Sequence, residues 1–514
     1  MEATKRRAIP AAARYRHIAT IGLGSLLLGI GATSVGWLPP LFNVSVNPVL
    51  EALRLSEFGV LVGRFSAVIG GAIILHTWLR VGVDVLRRQL TSIETLWWML
   101  IVSIVPLLVV PPLFSRDLYS YIAQGRLMIN HINPYTHGVG VIPGWFQLGA
   151  DPMWAEAPTP YGPISLGLQG FVAGALPHSP WWSMLVLKFF AIVGLIVIGL
   201  AVIQLAQQHG ISPTGAFWLS VLNPLMLLHF VAGGHNDSLM IAGMLWAFVF
   251  ANRQQPLFAV LSLTFAAGIK PIALLALPFI GFALLNRTTT WKRVVLSWAA
   301  VTTSTLALLA AIGYALGVGV GWIGALTTPG SVRTLLSPAT ALGEIIGWIS
   351  NGFNQDLGDT AITIARTLCL LVAFILLVII VLRPERQSPV RQAGFAFAVV
   401  IVLSPVVQPW YLLWALPLVA TSGLARAWHL RTVVLGTAFF VIYALSDINV
   451  VTDSSIDFTD LISIASSALV VAVVLMSSKR ERQLAVGEQF ASGLRPATDE
   501  EKASAASQRM HITR

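Results

Sequence analysis

Charge is scarce in this chain. Only 11% of its 514 residues are Asp, Glu, Lys or Arg, against about 25% in a soluble domain. A surface facing water throughout is therefore excluded. Cysteine is scarcer still, with Cys369 alone inside an apolar run, so neither an intramolecular disulfide nor a cysteine-based metal site can form. No glycine-rich phosphate loop follows a strand, and no soluble segment is large enough for a nucleotide-sugar enzyme. The net charge of +10 comes without a basic stripe interleaved with aromatics, which argues against nucleic acid as a partner.

What the chain has in abundance is apolar length. Hydrophobic residues make up 56%, with mean hydropathy +0.78. Runs able to cross the roughly 30 Å hydrocarbon core recur throughout, so the expected fold is an all-α polytopic membrane bundle of about 13–14 transmembrane helices. Candidate spans are 18–38, 58–79, 95–114, 183–206, 213–232, 238–252, 256–269, 271–286, 294–316, 360–382, 392–406, 410–424, 432–446 and 461–478. The first is too long for a signal-peptide core and lacks a cleavage site, so it reads as a retained span. The short segments around 238–286 and 392–424 read as tilted, re-entrant or broken helices.

Basic residues assign the sides. With fourteen spans, the clusters Lys5/Arg6/Arg7, Arg80/Arg87/Arg88, Arg253, Arg287/Lys292/Arg293, Arg383/Arg386/Arg391, Arg426/Arg431 and Lys479/Arg480/Arg482 all fall on one side, the cytoplasmic one by the positive-inside rule. The chain then divides into a cytoplasmic N-terminus (1–17), three spans (18–114), a large extracytoplasmic loop (115–182), further spans (183–316), a second extracytoplasmic loop (317–359), the C-terminal spans (360–478) and a disordered cytoplasmic tail (479–514). Long loops on one face, without a two-fold repeat, favour an enzyme over a transporter. Of the charges inside spans, Arg64 and Arg366 lie near outer halves and fit snorkelling, while Lys188 is a functional hint.

Chemistry-bearing residues gather on the side opposite the basic loops. Asp117 follows the third span at once, with Arg116 before it and Tyr119, Tyr121 and Gln124 after it on a short interfacial helix that NPY at 133–135 ends. A helix cap with an aromatic belt and a catalytic carboxylate are both open for that set. Tyr161 stands in the proline-rich turn APTPYGP, before a stretch at 164–176 that suits a helix lying along the interface. His229, His235, Asn236 and Asp237 end the fifth span beside a Gly-Gly turn. Their spacing offers no second cluster for a metal, so a polar turn that binds substrate or secures two helices is the better reading. Lys270, before a proline, either snorkels or pairs with an anion, and Arg333 is a second outer cation. Gln408, Trp410, Tyr411 and Trp414 form either an aromatic belt or a sugar-stacking surface.

Taken together, FSRDLYSYIAQGRL, NPY, PTPYGP, NPLMLLHFVAGGHNDSLM, GIKPIALLALPF and QPWYLLW resemble the actinobacterial polyprenol-phosphomannose-dependent α-1,6-mannosyltransferases MptA and MptB. These are membrane glycosyltransferases of the GT-C class, and the likeness runs in order from about residue 20 to 480. It implies Asp117 as the catalytic base, one carboxylate where many of the class carry two. It also implies a polyprenyl-phosphate mannose donor, a mannan acceptor of the lipomannan and lipoarabinomannan backbone, and an inverting single displacement. Lys270, His235 and Arg333, in that order, are expected to cradle the leaving phosphate. No metal or other cofactor is implied. The expected location is the plasma membrane, multi-pass, with the active site on the extracytoplasmic face and the isoprenoid tail in a groove between short spans. SPVVQPWYLLW leans toward MptB. Another GT-C enzyme, transferring arabinofuranose or forming a different mannose linkage, and a lipid-linked-sugar transporter are the competing readings.

Overall fold

Proline and serine decide where the helices begin. Proline stands at the first turn of half of them, where its missing N–H costs nothing, and serine or asparagine hydroxyl and amide oxygens cap many of the free amides. The computed structural model describes residues 9–285, 290–326, 333–353, 357–382, 388–424 and 426–446, with the single positions 448, 468 and 494. Among them every regular element is helical.

In chain order, the helices are α1 (Ala11–Val35), α2 (Pro48–Leu55), α3 (Glu57–Leu86), α4 (Ile93–Ile104), α5 (Asp117–Ile129) and α6 (Pro163–Ala175). There follow α7 (Pro180–Gln208), α8 (Pro213–Ser220), α9 (Pro224–Met226, continued as a π-turn over Leu227–Ala232), α10 (Asp237–Asn252), α11 (Pro256–Ile269) and α12 (Leu277–Ala283). The last are α13 (Trp291–Ala315), α14 (Pro338–Asn351), α15 (Gly358–Leu382), α16 (Pro389–Leu403), α17 (Leu412–Ser422) and α18 (Ala427–Ser446).

Six of these, α1, α3, α7, α13, α15 and α18, are long and apolar enough to cross a membrane singly, and α8 with α9 and its π-turn forms a bent span kinked by 54°. The kink falls at Asn223-Pro224, where the ring removes a helix hydrogen bond. The segments expected to be short or broken are so: α10, α11 and α16 run 14–16 residues. The protein is an all-α polytopic membrane protein. The expected span 461–478 lies outside the described residues apart from position 468, as do Arg383 and Arg386. Of the tail expected to be disordered, Leu494 is described and buried; its carbonyl accepts the Leu424 amide at 2.7 Å.

Burial separates a frame from a rim. Over half of α1, α3 and α7 is enclosed by protein, but only 11% of α15 and 17% of α13, so those two turn their apolar sides outward. Arg64, expected to snorkel, is instead buried at 3% exposure, whereas the Arg366 Nε reaches the Thr340 hydroxyl at 3.0 Å. The frame's tightest joint is α1 against α3. A Cβ on Gly31 would stand 2.5 Å from the Ala67 methyl and 2.8 Å from the Gly63 carbonyl, a small-residue crossing of the kind that lets membrane helices touch backbone to backbone.

Gly31→Val should therefore lower the unfolding temperature of the detergent-solubilised protein, with overpacking costing about 1–3 kcal/mol. Gly436→Ala on α18, whose nearest atom would be 3.9 Å away, should leave it unchanged or higher. Equal melting of both variants would show that the α1–α3 contact is not tight.

Candidate active site

Two prolines, Pro111 and Pro112, end any continuation of α4 and send the chain in irregular form to Ser115. The Ser115 hydroxyl accepts the Asp117 amide at 3.0 Å, and α5 starts there with its acidic side chain in the first turn, where the helix dipole favours a negative charge. Asn133-Pro134 follows the end of α5 as expected. The Asn133 side chain accepts the Tyr135 amide, and the Tyr135 hydroxyl reaches the Tyr161 carbonyl.

Opposite Asp117 stands the turn at 233–236. Gly234 adopts φ +71°, and a Cβ there would collide with Leu118, so only glycine lets this turn lie against α5. His235 Nδ1 then lies 3.2 Å from the Asp117 Oδ2. The contact is close and polar but does not meet hydrogen-bond geometry. The imidazole is fully buried and stacked on Trp410, centroids 3.9 Å apart and rings 25° from parallel, while the Asp117 side chain keeps 13% exposure. Burial would raise the Asp117 carboxyl, but the contact and charge of His235, then the charge of Lys270 and the Trp154 indole, outweigh it and hold the group below its ordinary 3.8.

Two residues beyond His235, Asp237 begins α10 and is 1% exposed. Its Oδ1 accepts from Lys270 Nζ at 2.8 Å and from the Trp414 indole at 2.7 Å. Lys270 follows α11, and the ammonium is ringed by Tyr161, Tyr411 and Trp414, with centroids 5.0–5.8 Å away, close enough for attraction to each ring face. Tyr161 is brought there by the bond from the Gly162 amide to the Ile269 carbonyl at the end of α11. Asn236 links the groups: it accepts from Tyr121 at 3.4 Å and donates to Ser165 at 3.0 Å, while Tyr161 donates to Tyr121 at 3.5 Å. A small cleft opens beside this network, lined by Tyr121, Ser165 and Asn236 and otherwise mainly by apolar side chains such as Leu168, Phe190 and Leu239.

The sequence candidates thus fall into two groups. Asp117, Tyr121, Tyr161, His235, Asn236, Asp237, Lys270, Trp410 and Tyr411 meet in one cluster. The others have separate engagements. The Arg116 guanidinium lies over Trp37 at 4.4 Å and donates to the Gly149 carbonyl, the Tyr119 hydroxyl donates to the Trp37 carbonyl, and Gln124 accepts from Thr159. Gln408 is half-buried, its carbonyl accepting the Tyr411 amide. Arg333 forms an exposed ion pair with Asp359 at 2.8 Å, not with the Asp117 cluster. Residues missed by the sequence reading include Trp154, Ser165 and Asp151. The Asp151 carboxyl is pushed above its ordinary value by burial and by the Asp117 charge, against the Met153 amide and Arg116. A short list of acidic residues in 115–182 was the available signal for Asp151.

The sequence that builds this cluster has counterparts among known proteins. The family described as "Alpha-(1->6)-mannopyranosyltransferase, N-terminal domain" matches residues 20–286, which holds Asp117, His235, Asp237 and Lys270. This chain belongs to the α-(1→6)-mannopyranosyltransferase family. Residues 339–477 match the MptB C-terminal domain. A probable α-(1→6)-mannopyranosyltransferase of Mycolicibacterium smegmatis is 33% identical over 77% of each chain. An α-(1→6)-mannopyranosyltransferase of Mycobacterium tuberculosis is 31% identical over 80% of each. α-(1→6)-Mannopyranosyltransferase B of Corynebacterium glutamicum is 26% identical over 83% of this chain and 76% of its own.

Two expected outcomes follow from the cluster. Because His235 favours the Asp117 carboxylate and burial opposes it, His235→Gln should raise the Asp117 pKa and move the acid limb of the mannosyl-transfer pH profile to higher pH. An unmoved limb would show that His235 does not control the carboxylate. Secondly, Lys270→Met or Asp237→Asn alone strands a buried partner at a cost of about 3–5 kcal/mol. The double variant, measured by thermal unfolding in detergent, should lose clearly less than the two single losses combined; simple additivity would mean the pair is not coupled.

Proposed function

We propose that this glycosyltransferase moves mannose from a polyprenyl-phosphate donor to the 6-hydroxyl of an α-1,6-linked mannan acceptor, with inversion at the anomeric carbon, on the extracytoplasmic face of the plasma membrane. The observation that carries the reading is a partly exposed carboxylate kept ionised within the electrostatic reach of a caged ammonium. The acceptor oxygen attacks the anomeric carbon while Asp117 takes its proton. The bond from that carbon to the phosphate oxygen breaks, and the phosphate leaves with the electron pair. A phosphate dianion needs stabilising rather than protonating, which Lys270 can supply by sharing its charge between Asp237 and the departing oxygens. No metal or other cofactor is invoked.

The lipid-linked donor is favoured by the surroundings of the site. A small cleft with apolar walls of Leu168, Leu187, Phe190 and Leu239 adjoins Tyr121 and Asn236 and gives a lipid chain an apolar surface beside the site, while Trp410 and Tyr411 offer ring faces to sugar. The site lies at the end of the bundle away from the Lys/Arg-rich connections, which supports an extracytoplasmic location. The natural acceptor would then be lipomannan or lipoarabinomannan backbone. The MptB C-terminal match supports a B-type place along that backbone.

The test is incubation of membranes carrying the protein with polyprenyl-phosphomannose and a synthetic α-1,6-dimannoside. Wild type should form an α-1,6-trimannoside, and Asp117→Asn should lose about 10²–10⁴ of the turnover while still binding donor. A different linkage, or no glycosidic product, would replace this reading by another transferase or by transport; undiminished turnover would remove Asp117 from the chemistry.

A further inference from the structure

Lys188 is fully buried in the interior of α7, surrounded in sequence by apolar residues. Its Nζ donates to the Leu107 carbonyl at 3.1 Å and the Val110 carbonyl at 2.8 Å. Leu107 ends the single 3₁₀ turn, Val105–Leu107, into which α4 tightens before it stops, and Val110 lies three residues further along the irregular segment that precedes Pro111. In a water-poor interior such carbonyls need a donor, and the lysine nitrogen carries hydrogens enough for both.

The segment that follows is pinned at successive points. The Pro112 carbonyl accepts the Trp37 amide at 2.8 Å, and the Leu113 amide donates to the Ala232 carbonyl at 3.1 Å. Phe114 is held at φ +67°, a conformation that a bulky side chain adopts only when its surroundings impose it. Asp117 comes three residues later. One turn along α7 from Lys188, the Ala191 carbonyl accepts the Ser238 hydroxyl at 2.8 Å, next to Asp237 and three residues after His235. Lys188 and Ala191 are three apart and so share a face of α7. That one face holds both the approach to Asp117 and the start of the helix behind His235.

We infer that Lys188 is a positioning residue for the transfer reaction, setting the separation of Asp117 from His235 by anchoring residues 107–110 to α7. The inference rests on the catalytic role of Asp117 argued above. Lys188→Met removes the donor and lets the segment drift, and displacement of a reacting group by about 1 Å can cost about 10² in rate. Lys188→Arg keeps donors in reach of both carbonyls, and Lys188→Gln keeps a weaker, neutral donor.

The experiment measures kcat and the donor KM for the three variants in detergent, each normalised to folded protein by size-exclusion recovery, beside Asp117→Asn. Expected is a kcat loss of about 10² for Lys188→Met with donor KM little changed, an intermediate value for Lys188→Gln, and near wild-type kcat for Lys188→Arg. Wild-type kcat in Lys188→Met overturns the inference, as does a loss confined to the yield of folded protein. Should Lys188→Met not fold, the kcat of Lys188→Gln relative to Lys188→Arg decides on the same terms. If Asp117→Asn retains turnover, the reading of the active site itself fails, whatever the Lys188 variants do.

Discussion

An ammonium and a carboxylate held 2.8 Å apart in an apolar bundle impose conditions on everything near them. Either charge alone would carry a desolvation cost of several kcal/mol, so Lys270 and Asp237 must be brought together by the fold and kept there. Three devices do this. Pro271 stops α11 where Lys270 needs to be, the Gly-Gly turn aims the start of α10 at it, and Trp414 adds an indole hydrogen bond to Asp237. The aromatic rings around Lys270 replace hydration with face-on attraction. The same arrangement leaves positive charge near Asp117, which shares in stabilising that carboxylate.

The frame behind this pair is less polar and more rigid. α1, α3 and α7 are the most enclosed of the long helices, and the α1–α3 crossing depends on glycine and alanine rather than on large side chains. The reciprocal bonds of Trp78 and Trp218, each indole donating to the other's carbonyl at 2.8–2.9 Å, tie α3 to α8 deep in the core. Such an enclosed body allows the loop between α4 and α7 to carry exposed chemistry without loosening the site. α13 and α15 expose their apolar surfaces because nothing in the described chain competes with lipid for them.

Much of this was legible in the sequence because hydropathy and proline are local signals. Each candidate span from 18–38 to 432–446 holds a helix, although only six helices and one bent pair are long and apolar enough to cross, and the breaks at Asn223-Pro224, Lys270-Pro271 and Gln408-Pro409 are written in dipeptides. The gathering of Asp117, His235 and Lys270 at one end was foreshadowed by the alternation of basic and non-basic connections. Pairings were not legible. Lys270 and Asp237 are 33 residues apart, and nothing in either neighbourhood says that each is the other's partner rather than a free ligand group. Arg64 looked able to snorkel because hydropathy reports depth along a helix but not which way the side chain faces. Arg333 looked equivalent to Lys270 for the same reason, and its partner Asp359 lies across a gap that sequence spacing does not bridge. Trp154 and Asp151 sit in a loop without periodicity, where only the tertiary path brings them beside α5.

Helix ends explain why the charges have the signs they do. Asp117 and Asp237 are each the first residue of a helix, α5 and α10, where unpaired amides and the dipole favour an anion. Lys270 follows the last turn of α11, where exposed carbonyls favour a cation. Lys188 meets the same need from the side, giving its hydrogens to the Leu107 carbonyl at the end of the turn after α4 and to the Val110 carbonyl beyond it. In a membrane protein broken helices are tolerated where something satisfies their ends, and here the groups that do so stand within or just behind the cluster. The cost of interrupting a helix and the need for fixed charge are met by the same residues. The chemistry therefore sits at the breaks because unbroken spans offer no free backbone dipoles to hold it.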